Sequence, residues 1–398
     1  MAKSDLFIMI PAHIIDAEQT KIKANNQVIP HGVAARFKKD MDQIFDYEVV
    51  DRFAKTCKRH YLGAYTFVVL SDDFDNPVEL DTVEVMLFAN VIDRIQLAAV
   101  TIMVMEYDKD VTVIMDQVSR ENIMIRTQCE TLALDVFFEK AFGLIKNGEA
   151  KMCLVQDACD DVTERIYRLA AETKASNVMK ARIMSRKLDF YAKHNLAVYD
   201  NSELYASESV VLQLYKDYDK SEQDKITQEV FLVFIIELIV FQISALNRTS
   251  KQISDTLITS HNAKLKTVEA SRAQFSKTMA LWDVNIFRYN TAQTVYNRIA
   301  KRFGIDGLLA HYRSNSQMLD DLVHIKNTRS AVRESRILFV IAILLFIGEL
   351  YQLIKAFIQV ITEGGSLVGA IGFFVSGISI VFIIVIIVLI YFLRRRKP

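Results

Sequence analysis

Five polar side chains interrupt an apolar run near the C-terminal end of this sequence: Glu349, Gln352, Lys355, Gln359 and Glu363, within FIGELYQLIKAFIQVITEGGS at residues 346–366. On a helix advancing about 100° per residue, with Glu349 at zero, Gln352 falls near about −60°, Lys355 about −120°, Gln359 about −80° and Glu363 about −40°. All five therefore share one third of the helix surface. Carboxylate and amide oxygens in such a stripe can replace the hydration of a passing cation. In hydrocarbon a charged side chain costs several kcal/mol, so the stripe must then face protein or water.

The surroundings decide between these settings. The apolar stretch just before Glu349, residues 337–348, is 12 residues long, and a helix needs about 20 to cross a bilayer core. Any span here takes Glu349 to membrane depth. Residues 337–361 are 25 residues with two charges, and residues 367–393 are 27 with none, which predicts a transmembrane hairpin over 336–398. Its connection, Thr362 to Ser366, has no Lys or Arg. Arg329, Arg333 and Arg336 precede the first span, and Arg394, Arg395, Arg396 and Lys397 follow the second. The positive-inside rule puts both termini in the cytoplasm, the turn at Gly364 and Gly365 outside, and the basic residues at the membrane surface. The expected location is a plasma (inner) membrane.

A single hairpin offers the charges of the first span only an uncharged second helix. Small residues at packing spacings, Gly365 with Gly369 and Gly372 with Ser376, let helices approach closely. Two readings follow. Several copies can turn their stripes to a common axis, giving a pore lined by Glu349, Gln352, Lys355, Gln359 and Glu363, with an apolar gate at Leu338, Ile341 and Leu345. Alternatively, Glu349 and Lys355 snorkel or pair, and the hairpin only anchors a cytosolic interaction domain.

Other candidate chemistry is sparse. Cys57 and His60 could supply two metal ligands where a site needs three or four. The acidic stretch Ser71 to Asp81 lacks the glycine of a calcium-binding loop and reads as a solvated turn. Asp157, Asp160 and Asp161 read as a helix start. No GxxxxGK, HExxH or GxSxG motif occurs, so no enzyme is expected, and His194, His261 and His324 read as helix-surface residues. The sequence names no cofactor or metal. Basic and acidic residues balance at 48 each, which gives no footprint for nucleic acid. The four cysteines lack CxxC spacing and read as reduced core residues.

The elements that must carry the stripe are signalled by punctuation. Pro11, Pro30 and Pro77 lie in the first fifth, and no glycine occurs between Gly148 and Gly304, so long helices are expected there. Short β-branched runs at 65–70, 83–88, 100–105 and 111–115 predict strands, the last two joined as a hairpin through 106–110. The N-terminal stretch MAKSDLFIMIPAHIID, residues 1–16, reads as a first strand, and 131–146 as a helix. The expectation is an α/β (or α+β) domain over 1–160 and a helical region with a stalk over 161–335. In the stalk Ile305, Leu308, Tyr312, Leu319 and Leu322 form a stripe interrupted by Asn315, and Gly304 and Gly307 are candidate breaks. Residues 230–246 are apolar for 17 positions with Glu237 and Gln242 inside. Without an export signal, they read as a buried core helix.

Over about residues 250–398 this layout, ending in Tyr391-Phe-Leu-Arg-Arg-Arg-Lys-Pro398, resembles the CorA-like magnesium channel superfamily in architecture. The family's Gly-Met-Asn signature is absent and Ile361-Thr-Glu-Gly-Gly-Ser366 stands in its place, so magnesium selectivity is not carried over. Only the topology transfers; gating of the homo-oligomer by a cytosolic ligand, a cation or a nucleotide, is expected because the soluble part is larger than an anchor requires. In the divergent branch similar to membrane effectors of antiviral CRISPR systems, that ligand is a nucleotide-type messenger. Phe346-Ile-Gly-Glu-Leu350 also resembles the sporulation and mitochondrial-translation family of membrane-anchored proteins, which implies a scaffold.

Overall fold

A computed structural model of the chain describes residues 4–15, 22, 32–48, 57–71, 77–92, 96–157, 161–171, 182–198, 202–216, 222–258, 273, 287–362, 369 and 371–372. The chain divides into two compact units, residues 1–319 and 320–398.

The first unit is built on a mixed sheet of ten strands among the described residues: β1 (Ser4–Ile14), β2 (Lys58–Leu70), β3 (Glu79–Ile92), β4 (Leu97–Tyr107), β5 (Met124–Arg126), β6 (Thr131–Ala133), β7 (Leu144–Lys146), β8 (Lys151–Asp157), β9 (Ser202–Ala206) and β10 (Val210–Tyr215). Their order is β6-β5-β2-β3-β4-β1-β8-β10-β9, with β7 also on β1. The β8–β10 pair is parallel and the other pairs are antiparallel. Strand β1 is central and buried on both faces, which is why FIMI reads as a continuous apolar run rather than an alternation. Leu6, Ile8 and Ile10 enter one core, with Ile114, Phe138, Leu169 and Leu188 from the helices on that side. On the other side Phe7 stacks on Phe37 at 5.5 Å, from α1 (Val33–Glu48).

Three expectations are corrected. Residues 111–115 are not the second strand of a hairpin but open helix α2 (Thr112–Ser119). Asp110 accepts hydrogen bonds from the backbone N–H (3.1 Å) and hydroxyl (2.6 Å) of Thr112. These bonds form a turn at Asp110, one residue ahead of the N-cap position Val111, and lead the chain into the helix despite β-branched residues. Strand β4 pairs instead with β3 and β1. The helix expected over 131–146 shortens to α3 (Leu134–Phe142), with a strand on each side, because Gly143 at φ +65° ends it in a left-handed cap. The sheet also continues past residue 160. Between α4 (Val162–Ala170), α5 (Arg182–Lys193) and the next helix lie β9 and β10. Their turn, Ser207 to Ser209, needs neither Gly nor Pro, so the absence of breakers concealed it.

The expected first strand is β1. Asp157 closes β8 rather than opening a helix, whereas Asp161 caps α4, its side chain accepting from the Thr163 N–H at 2.8 Å; Asp160 lies outside the described residues. For Ser71 to Asp81, residues 72–76 lie outside the description. The flanks close a turn between β2 and β3 through Ser71 N–H to Val78 O, 2.8 Å.

Helix α6 (Glu222–Ile258) contains the expected core helix. It packs on β1, β4, β8 and α1. Of the apolar window in Thr227–Asp255, 94% is buried. A helix apolar all round belongs in a core or a membrane; here the sheet and its neighbours supply the cover. Helices α7 (Asn290–Arg302) and α8 (Ile305–Thr362) follow. Gly304, at φ +76°, separates them, whereas Gly307 lies within α8. Of the expected stripe, Ile305, Tyr312 and Leu319 are buried, and so is the interrupting Asn315.

Candidate functional site

Helix α8 is 58 residues long, about 87 Å at 1.5 Å per residue. Ala331–Gln359 within it has a mean hydropathy of 2.5 and none of its window is buried. Phe339, Leu344, Leu345 and Ile347 are each more than half exposed. An apolar face of this extent on a soluble protein is a binding surface or a membrane surface.

The polar stripe survives as geometry. Glu349, Gln352, Lys355 and Gln359 all lie within unbroken helix and are all exposed. Glu363 lies outside the described residues. No ion pair joins Glu349 to Lys355. Six positions put about 9 Å of rise and about 120° between them, beyond side-chain pairing. Leu338, Ile341 and Leu345 are exposed one to three turns earlier. Arg333 and Arg336 are exposed where the apolar window begins. Gly369 and Gly372 are helical and exposed, with open space where a Cβ of Gly372 would project. Gly364, Gly365, Ser376, Arg394, Arg395, Arg396 and Lys397 lie outside the described residues, as does nearly all of the expected second span.

Each polar side chain in the apolar centre of the other helix is answered by the sheet or by α7. Glu237 of α6, fully buried, receives two hydrogen bonds from the Arg59 guanidinium of β2, at 3.0 and 3.1 Å. Asn90 of β3 and Thr101 of β4 donate to the same carboxylate. The guanidinium lies 5.1 Å from the Phe88 ring centre and 5.8 Å from that of Phe37. Gln242 accepts from the Tyr296 hydroxyl at 2.6 Å, and the Ser244 hydroxyl donates to Ala12 O at 2.9 Å. Every polar side chain in this stretch of α6 thus has a partner, as burial requires.

Sequence reading missed this cluster because Arg59 sits inside the Cys57 to His60 pair, which draws attention to metal binding. Among the described residues no three His, Cys, Asp or Glu side chains converge as a metal site. The usable signal was a lone polar residue in two apolar strand segments, Asn90 in VMLFANVI and Thr101 in LAAVTIMVM, with Glu237 inside an apolar helix; Arg59, between Lys58 and His60, carries no such signal. Sequence reading also missed Lys151, buried in β8, whose Nζ donates to Glu208 O at 2.9 Å and lies 5.2 Å from the Phe303 ring centre. Burial pulls its pKa down.

Comparison with protein-family models, curated proteins and solved structures gave no match.

Proposed function

We propose that this chain is a membrane protein of CorA-like topology. Residues 1–335 lie in the cytosol, the C-terminal apolar segments form a two-span hairpin, and several copies associate around the stripe of Glu349, Gln352, Lys355 and Gln359 to form a pore. A cytosolic ligand, a cation or a nucleotide-type messenger, gates it. The observation that carries the reading is the contrast between two helices of similar hydropathy. The apolar window within Thr227–Asp255 is 94% buried and each of its central polar groups is matched, whereas that within Ala331–Gln359 is uncovered and, among the described residues, Glu349 and Lys355 have no ion-pair partner. Bilayer can cover the apolar face but not the stripe, and copies of the same helix can.

The test is the mass of the complex in detergent, followed by ion flux after reconstitution in liposomes. A discrete closed oligomer is expected, conducting with a rate or selectivity that Glu349→Leu changes while the assembly stays intact. Parent protein that is monomeric and silent with every ligand tried would leave the hairpin an anchor for a cytosolic scaffold. Conduction unchanged in Glu349→Leu would remove the stripe from the conducting path.

A further inference from the structure

A groove of about 720 Å³ runs along one face of α8 immediately before its apolar window, lined by Asp321, Ile325, Thr328, Val332, Arg333 and Arg336 among others. All of these side chains are exposed and all belong to the second compact unit. We infer that this groove holds the phosphate of an anionic phospholipid headgroup at the inner membrane surface, an inference resting on the membrane reading above.

Three observations support it. Arg333 and Arg336 are three residues apart, about 60° around the helix and one turn along it, so their guanidinium groups share one face. The intervening acid, Glu334, projects about 100° from Arg333 and about 160° from Arg336, away from the groove. Neither arginine is ion-paired among the described residues. Two unneutralised guanidinium groups on one wall are a donor set for a phosphate, which they can grip with paired N–H bonds.

Depth selects a lipid over a free anion. Taking residue 337 as the edge of the hydrocarbon, Arg336 and Arg333 stand about 1.5 and 6 Å above it. The headgroup layer of one leaflet is about 5–8 Å thick. Both arginines thus lie at phosphate level. Asp321, about 24 Å from that edge, places a carboxylate at the far end of the groove, where it repels an anion and leaves the arginine end the favourable one. The exposed apolar residues from Ile337 to Ile341 continue from the arginines as an apolar track, which an acyl chain can follow.

The test uses the full chain solubilised in detergent, titrated with phosphatidylglycerol or phosphatidylcholine, with retained lipid counted by native mass spectrometry. Phosphatidylglycerol is expected to bind preferentially. The variant Arg333→Gln/Arg336→Gln should lose about 25-fold in that binding, about fivefold for each arginine at a membrane surface, and Glu334→Gln should lose none. Equal retention of the two lipids, undiminished binding in the double variant, or complete displacement of lipid by millimolar inorganic phosphate would overturn the inference. Alkaline extraction of membranes reads the underlying proposal separately. A chain released into solution ends both, whereas a retained chain without lipid preference ends only this one.

Discussion

The least expected residue in the first unit is Glu237, a carboxylate in the middle of an apolar helix and sheltered from water. Desolvating an ion pair costs several kcal/mol per ion, so such a pair adds little net stability against a well-packed apolar alternative. Removing one partner is a different matter. Arg59→Leu leaves the Glu237 charge with only the neutral donors of Asn90 and Thr101, and should destabilise the protein by about 3–5 kcal/mol. The double variant Arg59→Leu/Glu237→Gln removes the buried charge while keeping an acceptor oxygen for Asn90 and an amide N–H that the Thr101 hydroxyl can accept, and should recover more than half of the loss. Urea unfolding of the full chain in detergent, followed by circular dichroism, measures both. Equal losses in the single and double variants would mean that the charge itself is not what burial penalises. The pair also specifies alignment, because Glu237 meets Arg59, Asn90 and Thr101 from three adjacent strands only if α6 crosses the sheet at one register.

At the scale of elements, α6 and the apolar part of α8 pass the same test of length and composition and end in opposite environments. An acidic residue should therefore fail differently in each. Val233→Asp buries an unpaired carboxylate against the sheet, and should unfold the first unit or lower its melting temperature by more than 10 °C, since one kcal/mol shifts a domain of this size by roughly 2–4 °C. Leu344→Asp adds about 3–4 kcal/mol to the insertion of a span. It should reduce membrane retention without moving the melting of the sheet. Extraction and melting curves on the two variants give a crossed result; similar behaviour of both would show that α6 and α8 share one environment. Much of this was legible beforehand. The short apolar length of residues 230–246 and the lack of an export signal pointed to a core helix, and the apolar patch FIMI pointed to β1. Helix α2 was not legible, because Val111 to Met115 has strand composition and the deciding hydrogen bonds come from Asp110, one residue upstream. Strands β9 and β10 were hidden because a Ser-Glu-Ser turn lacks the glycine or proline by which turns are found. The stripe of Glu349 could be read as helix geometry, while the groove before it depends on which side chains stay exposed, and one helix's periodicity does not contain that.

At the scale of the whole molecule, the burial that assembles the first unit also sets the pH range in which it survives. Tyr107 in β4 and Tyr205 in β9 have their hydroxyl pKa pushed up to about 12, by burial first, then by Asp81 and by the hydrogen bond to Glu203 respectively. Tyr215 in β10 and Tyr296 in α7 are pushed higher still, Tyr215 by burial and then Glu229, Tyr296 by burial alone. Unfolded tyrosines ionise near about 10. Between that value and the folded pKa the unfolded chain has lost protons that the folded chain keeps, so stability falls as pH rises through this window. On the acid side His13 of β1 is lowered by burial, then by Arg248 and Lys251. The unfolded chain takes up its proton first as pH falls below about 6.5, and stability declines there too. Because Tyr107 and Tyr205 lie in the core on one side of the sheet, while Tyr296 packs on α6 and Tyr215 is buried within β10 of the same sheet, their ionisation should appear with global unfolding rather than site by site. Raising the pH stepwise above 10 should lower the melting temperature. The tyrosinate absorbance of these buried residues should rise together with loss of circular dichroism, and a gradual rise complete near pH 10 in a chain that keeps its secondary structure would show instead that the hydroxyls reach water without opening the sheet.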